Sequence, residues 1–338
     1  MKLRPNIVLI SIWIIISLLS CADQRGVSAS RLLLGTTCTI TADGVSQIEL
    51  ENTLDMVKDI ENRMHTTRDG SEVALINQMA GIKAVHISND TYAVIKKSLQ
   101  MAKDSHGAFD PTLGPVIELW GISSDNPRLP SPEEIKEALK FVDYTKVVLN
   151  DNNQTVFLQE KGMVIDLGGI AKGYAADVVY KELKELGAHS ALIDFGGNIM
   201  VLGAKGDRPW IIGIQDPFLP RGQSMGRLEA QDQTIVTSGI YERFLEVDGK
   251  HYHHIMDSQT GYPIDNNLAG VTVRTKVSME ADGLSTALFA LGPEQSQDLL
   301  AEYPDVEAYF ITKDKKVITY HANHHLLITN SEFELVER

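Results

Sequence analysis

The stretch Val164-Ile165-Asp166-Leu167-Gly168-Gly169-Ile170-Ala171-Lys172-Gly173-Tyr174 reads as a short strand, Val164 to Asp166, that passes through a glycine-rich bend into a helix from about Ala171 to Leu186. A strand that ends in Gly-Gly and opens a helix brings backbone N–H groups to one point. That point suits an anion, phosphate above all, and Lys172 adds a positive charge. The spacing matches neither of the common glycine fingerprints. Tyr174 stands where a P-loop needs its Lys, and Gly-x-Gly-x-x-Gly is not formed. Two readings stay open on these residues alone: a phosphate site, or a tight strand-to-helix turn with an exposed lysine.

Working outward, helices and strands interleave on both sides of the bend. Leu32 to Thr41 reads as a first strand, with Cys38 buried in it. Ser46 to Met64 carries Leu50, Leu54, Val57, Ile60 and Met64 at helical spacing, and Thr91 to Lys103 reads as a second helix. Ser131-Pro132-Glu133-Glu134 is a helix start, with Ser at the N-cap, Pro at N1 and Glu at N3. Residues 146–158 read as a hairpin turning at Asp151-Asn152-Asn153. Short strands follow at 190–194, 199–202, 210–215, 234–237, 244–247, 252–256 and 269–274. Helices over 280–291 and 293–303 precede a closing hairpin, 307–312 with 316–320. Several strand pairs are hairpins, so the pattern predicts an α+β domain of mixed sheets rather than a regular parallel barrel.

The first twenty residues read as an address. Lys2 and Arg4 precede an apolar run from Ile7 to Leu19. Those thirteen residues, at about 1.5 Å each, are too short for a hydrocarbon core of about 30 Å. The pattern is that of a secretory signal. It ends in Leu18-Leu19-Ser20-Cys21, which resembles a bacterial lipobox; the alternative is an ordinary signal peptide followed by a chance cysteine. The expected organisation is a signal peptide over 1–20, a tether over 21–31 after a lipidated Cys21, and one large domain over 32–338. Such a protein would be extracytoplasmic and lipid-anchored to a bacterial membrane. Loss of residues 1–20 would take the net charge from −14 to −16, because the segment holds two positive charges and no negative one. So acidic a chain, without a basic patch, argues against nucleic acid as a partner.

Four further segments hold candidate chemistry. Asp194-Phe195-Gly196-Gly197-Asn198 reads as a type I′ or bulged turn between strands. In Glu280-Ala281-Asp282-Gly283-Leu284-Ser285-Thr286, helical spacing puts Asp282 and Thr286 on one face, an oxygen pair suited to Mg²⁺. The plainer reading makes Asp282 a cap and has Thr286 bonding a carbonyl one turn back. His251, His253 and His254 lie close together, but a strand sends His254 to the face opposite the other two, and no ligand set for zinc is completed. One of them as a base or a substrate contact is the better reading. Phe109-Asp110-Pro111-Thr112-Leu113-Gly114-Pro115 is a rigid loop or a ligand loop.

Taken in order, these segments resemble the ApbE family of FAD:protein FMN transferases. Leu34-Gly35-Thr36 resembles the family's Met-Gly-Thr, and Phe109 to Pro115 its Phe-Asp-Pro-Thr-x-Gly-Pro. Asp166 to Asp177 resembles Asp-Leu-Gly-Gly-Ile-Ala-Lys-Gly-Tyr-Ala-Ala-Asp, and Asp194 to Asn198 resembles Asp-x-Gly-Gly-Asn. Thr237 to Arg243, His253 to Pro263 and Ala281 to Gly292 resemble three later motifs. The resemblance implies a single α+β domain, ApbE-like and T-fold-like. It implies that FMN passes from FAD to a Thr or Ser hydroxyl of a target flavoprotein, with Mg²⁺ as cofactor and AMP as the leaving group. The target would be a subunit of a sodium-pumping or related redox complex, or another exported flavoprotein. Carried onto this chain, the metal ligands are Asp282, Thr286 and the carbonyl of Ala171. Asp166 and Lys172 would touch FAD, Leu34, Phe109, Asp110, Thr112 and Ile264 would line its pocket, and His254 would be the base for the incoming hydroxyl.

The sequence departs from the family pattern at a few positions. Thr67 stands where the family commonly has an aromatic residue that lines the ligand, and Ile240 replaces an Asp. Small polar residues at the position of Thr67 go with members that mainly hydrolyse FAD to FMN and AMP. A pyrophosphatase, or an extracytoplasmic FAD-binding lipoprotein without turnover, are therefore the competing expectations.

Overall fold

The computed structural model describes residues 26–322 and 325–337. The expected signal peptide and Cys21 lie outside the described residues. The elements run β1 (Val27–Leu33), β2 (Thr36–Asp43), α1 (Gln47–Met64), α2 (Glu72–Gln78), β3 (Val85–His86), α3 (Asn89–Asp104), α4 (Gly114–Trp120), α5 (Pro132–Leu139), β4 (Val147–Asn150) and β5 (Thr155–Leu158). They continue with α6 (Ala171–Glu185), β6 (Ser190–Phe195), β7 (Asn198–Leu202), β8 (Trp210–Gln215), β9 (Ser224–Ala230), β10 (Gln233–Gly239), β11 (Phe244–Val247), β12 (Lys250–His253) and β13 (Leu268–Thr275). The chain closes with α7 (Ser278–Ala301), β14 (Glu307–Thr312), β15 (Lys316–Tyr320), β16 (Leu327–Ile328) and β17 (Glu334–Glu337).

Nine strands form the main sheet, in the order β1-β2-β6-β7-β10-β13-β14-β15-β17. Neighbours are antiparallel except for the parallel pair β15–β17, so the sheet is mixed as expected. β13 is buried at every position because both faces of the sheet are covered. Side chains alternate between two cores accordingly. On β14, Ala308 and Phe310 join the helix-side core, while Tyr309 and Ile311 join the other. The helix-side core takes Leu50, Leu54, Val57 and Ile60 of α1, the residues read at helical spacing. It also takes the apolar faces of α6 and α7. The opposite core is closed by the sheet β16-β9-β8, which supplies Trp210, Ile212 and Ile214.

Local signals set many boundaries. Ser46 and Glu49 form a capping box on α1, and Ser131 and Glu134 form one on α5 with Pro132 at its start. The hairpin β4–β5 and the hairpin β14–β15 form where they were expected.

Several expectations are corrected. The single strand over 32–41 is a hairpin. Leu34 and Gly35 take positive φ, 51° and 68°, and make the two-residue turn between β1 and β2. Residues 27–31, read as part of a tether, are strand β1. They pair with 38–42, bury Ala29, and tie Arg31 to Glu51 and Asp55 of α1. Val164–Asp166 is extended but makes only a single bridge, from Val164 to Leu113. The two helices expected over 280–291 and 293–303 are present within α7, separated by a kink at Gly292, whose φ of 72° and ψ of 170° are not helical. Strand β9 carried no clean alternation and was not foreseen. Cys38 is fully buried, and burial pushes its thiol up to about 12.

Candidate active site

The bend at Asp166–Lys172 is held tightly from within. Asp166 accepts hydrogen bonds from Gly168 N–H at 2.8 Å and from the Thr66 hydroxyl at 3.0 Å. The Asp166 amide donates to the Pro111 carbonyl at 2.8 Å. A Cβ at Gly169 would lie 3.0 Å from the Phe109 ring, so any side chain there requires that ring to give way. Within the bend the amides of Gly168, Ile170, Ala171 and Gly173 bond inside the protein, and Lys172 adds a positive charge beside them.

Two helices then bring the chemistry together. Asp282 lies four residues past the start of α7, with a buried carboxylate. It does not cap its own helix. Its Oδ2 accepts from Gly173 N–H at 2.9 Å, in the first turn of α6, and its Oδ1 lies 3.3 Å from Lys172 Nζ. Lys172 also donates to the Gly168 carbonyl at 3.1 Å. Thr286 bonds the Asp282 carbonyl at 3.4 Å, as the plainer reading expected, yet it still faces the same cavity as Asp282.

That cavity has a volume of about 420 Å³. Leu34, Phe109, Asp110, Asp166, Lys172 and His254 line it together with Asp282 and Thr286. The structure thus gathers eight of the sequence candidates from five distant segments. Thr112 is fully buried behind the wall. Its hydroxyl donates to Asp110 at 2.6 Å and accepts from Asp143 N–H at 2.8 Å, so it braces the loop that presents Phe109. Burial raises the Asp110 carboxyl, although both Thr112 bonds oppose the shift. Thr67 is exposed and off the wall; its neighbour Thr66 makes the bond to Asp166. Ile264 lines an adjoining cavity, and its N–H donates to the Ile255 carbonyl at 3.0 Å. Ala171 is the first residue of α6 and is buried.

His254 follows β12. Its Nδ1 lies 3.3 Å from the Arg243 carbonyl. A carbonyl only accepts, so Nδ1 carries the proton and Nε2 keeps its lone pair. Burial, chiefly, lowers the imidazole to about 4, and the Arg243 charge acts in the same direction. The ring is therefore neutral at ordinary pH, with Nε2 unprotonated. Its neighbour His253 spends both nitrogens on structure, with Nε2 donating to the Ile264 carbonyl at 2.9 Å and Nδ1 accepting from Ile255 N–H at 3.3 Å.

Sequence reasoning assigned no role to Asn198, Ser238 or Arg243, all on the cavity wall. Arg243 donates to the Gly35 carbonyl at 2.6 Å and fastens the β1–β2 turn over the cavity. Ser238 bonds the Ser285 hydroxyl at 2.8 Å. The signal was available, since each lies in a motif quoted for the resemblance. Among the described residues, no group of three or more His, Cys, Asp or Glu stands together as a metal cage.

A lysine, the carboxylate paired with it and a neutral histidine stand around one cleft of a mixed-sheet α+β domain. Its relatives give the class. The ApbE family model matches residues 34–310, and the chain belongs to the ApbE family and is a transferase. It is 38% identical over 315 residues to a FAD:protein FMN transferase of Treponema pallidum, covering 88% of this chain and 87% of the relative. A Klebsiella pneumoniae protein of the same name is 36% identical, covering 88% and 92%. Among solved structures, the ApbE protein of Thermotoga maritima superposes with a TM-score of 0.77 at 34% identity, covering 85% of this chain and 94% of that one. The flavinyl transferase ApbE of Pseudomonas stutzeri gives 0.74 at 30% identity, covering 85% and 91%.

Proposed function

We propose that this chain transfers FMN from FAD to a Thr or Ser hydroxyl of a target flavoprotein, releasing AMP. The observation that carries the reading is the meeting of Lys172, Asp282, Thr286 and His254 in one cavity. Lys172 is a cation that an FAD pyrophosphate would meet there, with Arg221 and Arg243 on the same wall. His254, neutral with Nε2 unprotonated, would take the proton of the acceptor hydroxyl. The hydroxyl oxygen bonds to the phosphorus of the FMN half, the bond from that phosphorus to the bridging oxygen breaks, and AMP departs with that oxygen. Such a transfer depends on positioning and charge neutralisation more than on covalent help.

The donor set fits Mg²⁺. The carboxylate of Asp282, the hydroxyl of Thr286 and the carbonyl of Ala171 are hard oxygen donors, few enough to leave positions for water and phosphate. Asp282 Oδ1 has spare capacity, since its lysine partner at 3.3 Å is beyond the usual 2.7–2.9 Å, about, of a strong charge-assisted bond. Bound Mg²⁺ would supply charge neutralisation on the phosphates. Export and lipid anchoring at Cys21 belong to the same reading and rest on the Leu18–Cys21 sequence.

The test incubates the purified protein with FAD, Mg²⁺ and an acceptor domain carrying one exposed threonine. The acceptor should gain the mass of one FMN, with AMP formed in equal amount. FMN and AMP appearing without any acceptor gain would make the enzyme a pyrophosphatase instead. FAD bound for hours with no AMP would make it a binding protein. For the anchor, Cys21→Ser should move the protein from the membrane to the soluble fraction.

A further inference from the structure

Asp177 closes the Asp166–Asp177 motif, yet it is absent from the cavity wall. Its two carboxylate oxygens accept from Ser278 N–H at 2.7 Å and Met279 N–H at 2.8 Å, the first two amides of α7. Helix α7 has no cap of its own, because Val277 precedes it and offers no acceptor. Helix α6 is in the same state behind Ile170, and there the missing acceptor comes from Asp282 of α7. Each helix thus provides the carboxylate that the other's N-terminus lacks. The anchor points are Gly173 and Asp177 on α6, Ser278 and Asp282 on α7, one turn apart on each. Two crossed bonds one turn apart fix spacing and axial register together. The backbones also touch, since a Cβ on Gly173 would lie 2.2 Å from the Ser278 carbonyl oxygen.

We propose that Asp177 is a positioning residue for Asp282: by holding the first turn of α7 onto α6, it sets where the Asp282 carboxylate stands beside Lys172 and the cavity. The inference rests on reading Asp282 as the cation-binding carboxylate. An asparagine at this position accepts one of the two amide bonds and turns an N–H toward the other. The α7 start then loosens, and Asp282 leaves the geometry in which it serves a cation.

The test is calorimetric titration of Mg²⁺ into the full-length protein without FAD. It compares wild type, Asp177→Asn and Leu183→Ala, the last a buried α6 residue outside the cavity wall that serves as a destabilised control. Asp177→Asn should weaken Mg²⁺ binding at least tenfold. With FAD and acceptor present, it should raise the Mg²⁺ concentration for half-maximal AMP release by the same factor, with kcat at saturating Mg²⁺ within threefold of wild type. Leu183→Ala should lower the melting temperature and leave Mg²⁺ binding unchanged. Wild-type Mg²⁺ affinity in Asp177→Asn, or an equal loss in Leu183→Ala, would overturn the inference. If Asp177→Asn does not fold, Asp177→Glu carries the same test, because its extra methylene pushes α7 outward. A threefold or larger loss supports the proposal, and wild-type affinity overturns it. Wild type that binds no Mg²⁺ would remove the reading of Asp282 and this inference with it. Wild-type binding with an unchanged variant removes the inference alone.

Discussion

At the scale of single residues, the neutral state of His254 sets the pH behaviour. Transfer should hold its rate from pH 8 down to about 5 and fall along an acid limb near 4, whereas an unperturbed imidazole would give a limb at about 6.5. A pH profile of kcat/KM for the acceptor measures this. His254→Ala should lower acceptor transfer by about 10²–10⁴-fold while FAD stays bound. The same group couples to folding. The unfolded chain protonates this histidine at about 6.5, and the folded protein resists protonation down to about 4. Its contribution to stability is therefore complete above the upper value and is lost as pH falls through the lower one. Thr67 makes a second test. It is exposed, so Thr67→Tyr should cost no more than about 0.5 kcal/mol in a urea melt. If a ring at this position favours transfer over hydrolysis, the ratio of flavinylated acceptor to free FMN should rise; an unchanged ratio removes that argument.

Elements decide what a glycine is worth. In an isolated helix Gly173→Ala would gain about 1 kcal/mol from propensity. Here the added Cβ meets backbone at 2.2 Å, and backbone cannot move aside as a side chain can. Overpacking of about 1–3 kcal/mol then wins, so denaturant melts should show net destabilisation, with weaker FAD binding as Asp282 is displaced. The β6–β7 turn follows the same logic. Gly196 and Gly197 both take positive φ, and a Cβ on Gly196 would strike the Thr36 hydroxyl at 2.1 Å. The turn read from Asp194 to Asn198 thus also lets the β1–β2 turn sit close beside the cavity.

For the whole molecule, β1 is an edge strand that shields β2, and Arg31 ties it to α1. The contribution of β1 is measured by comparing a protein that begins at residue 26 with one that begins at residue 32. Beginning at residue 32 removes most of β1 and bares the β2 edge, so it should melt several degrees lower and associate on size-exclusion chromatography. Equal melting of the two would show that the pairing of β1 adds little to stability. Among the described residues no helix is long and apolar enough to cross a membrane.

Where one element's own residues carry the information, the sequence was enough. The helix start at Ser131 lies within four residues, the α1 stripe is set by helical period, and the hairpin at 147–158 turns on adjacent polar residues. Order along the chain also marked the ApbE motifs and hence most of the cavity wall. Tertiary structure alone decided three things. It put β1 onto β2, because a leucine at positive φ carries no turn signal that a sequence reader would weigh. It chose Thr66 over Thr67 as the partner of Asp166, a matter of which way one loop faces. It also made Asp282 a cap for another helix and Asp177 a cap for Asp282's own, since a carboxylate's partner across two packed backbones is fixed by their contact and not by the spacing of either.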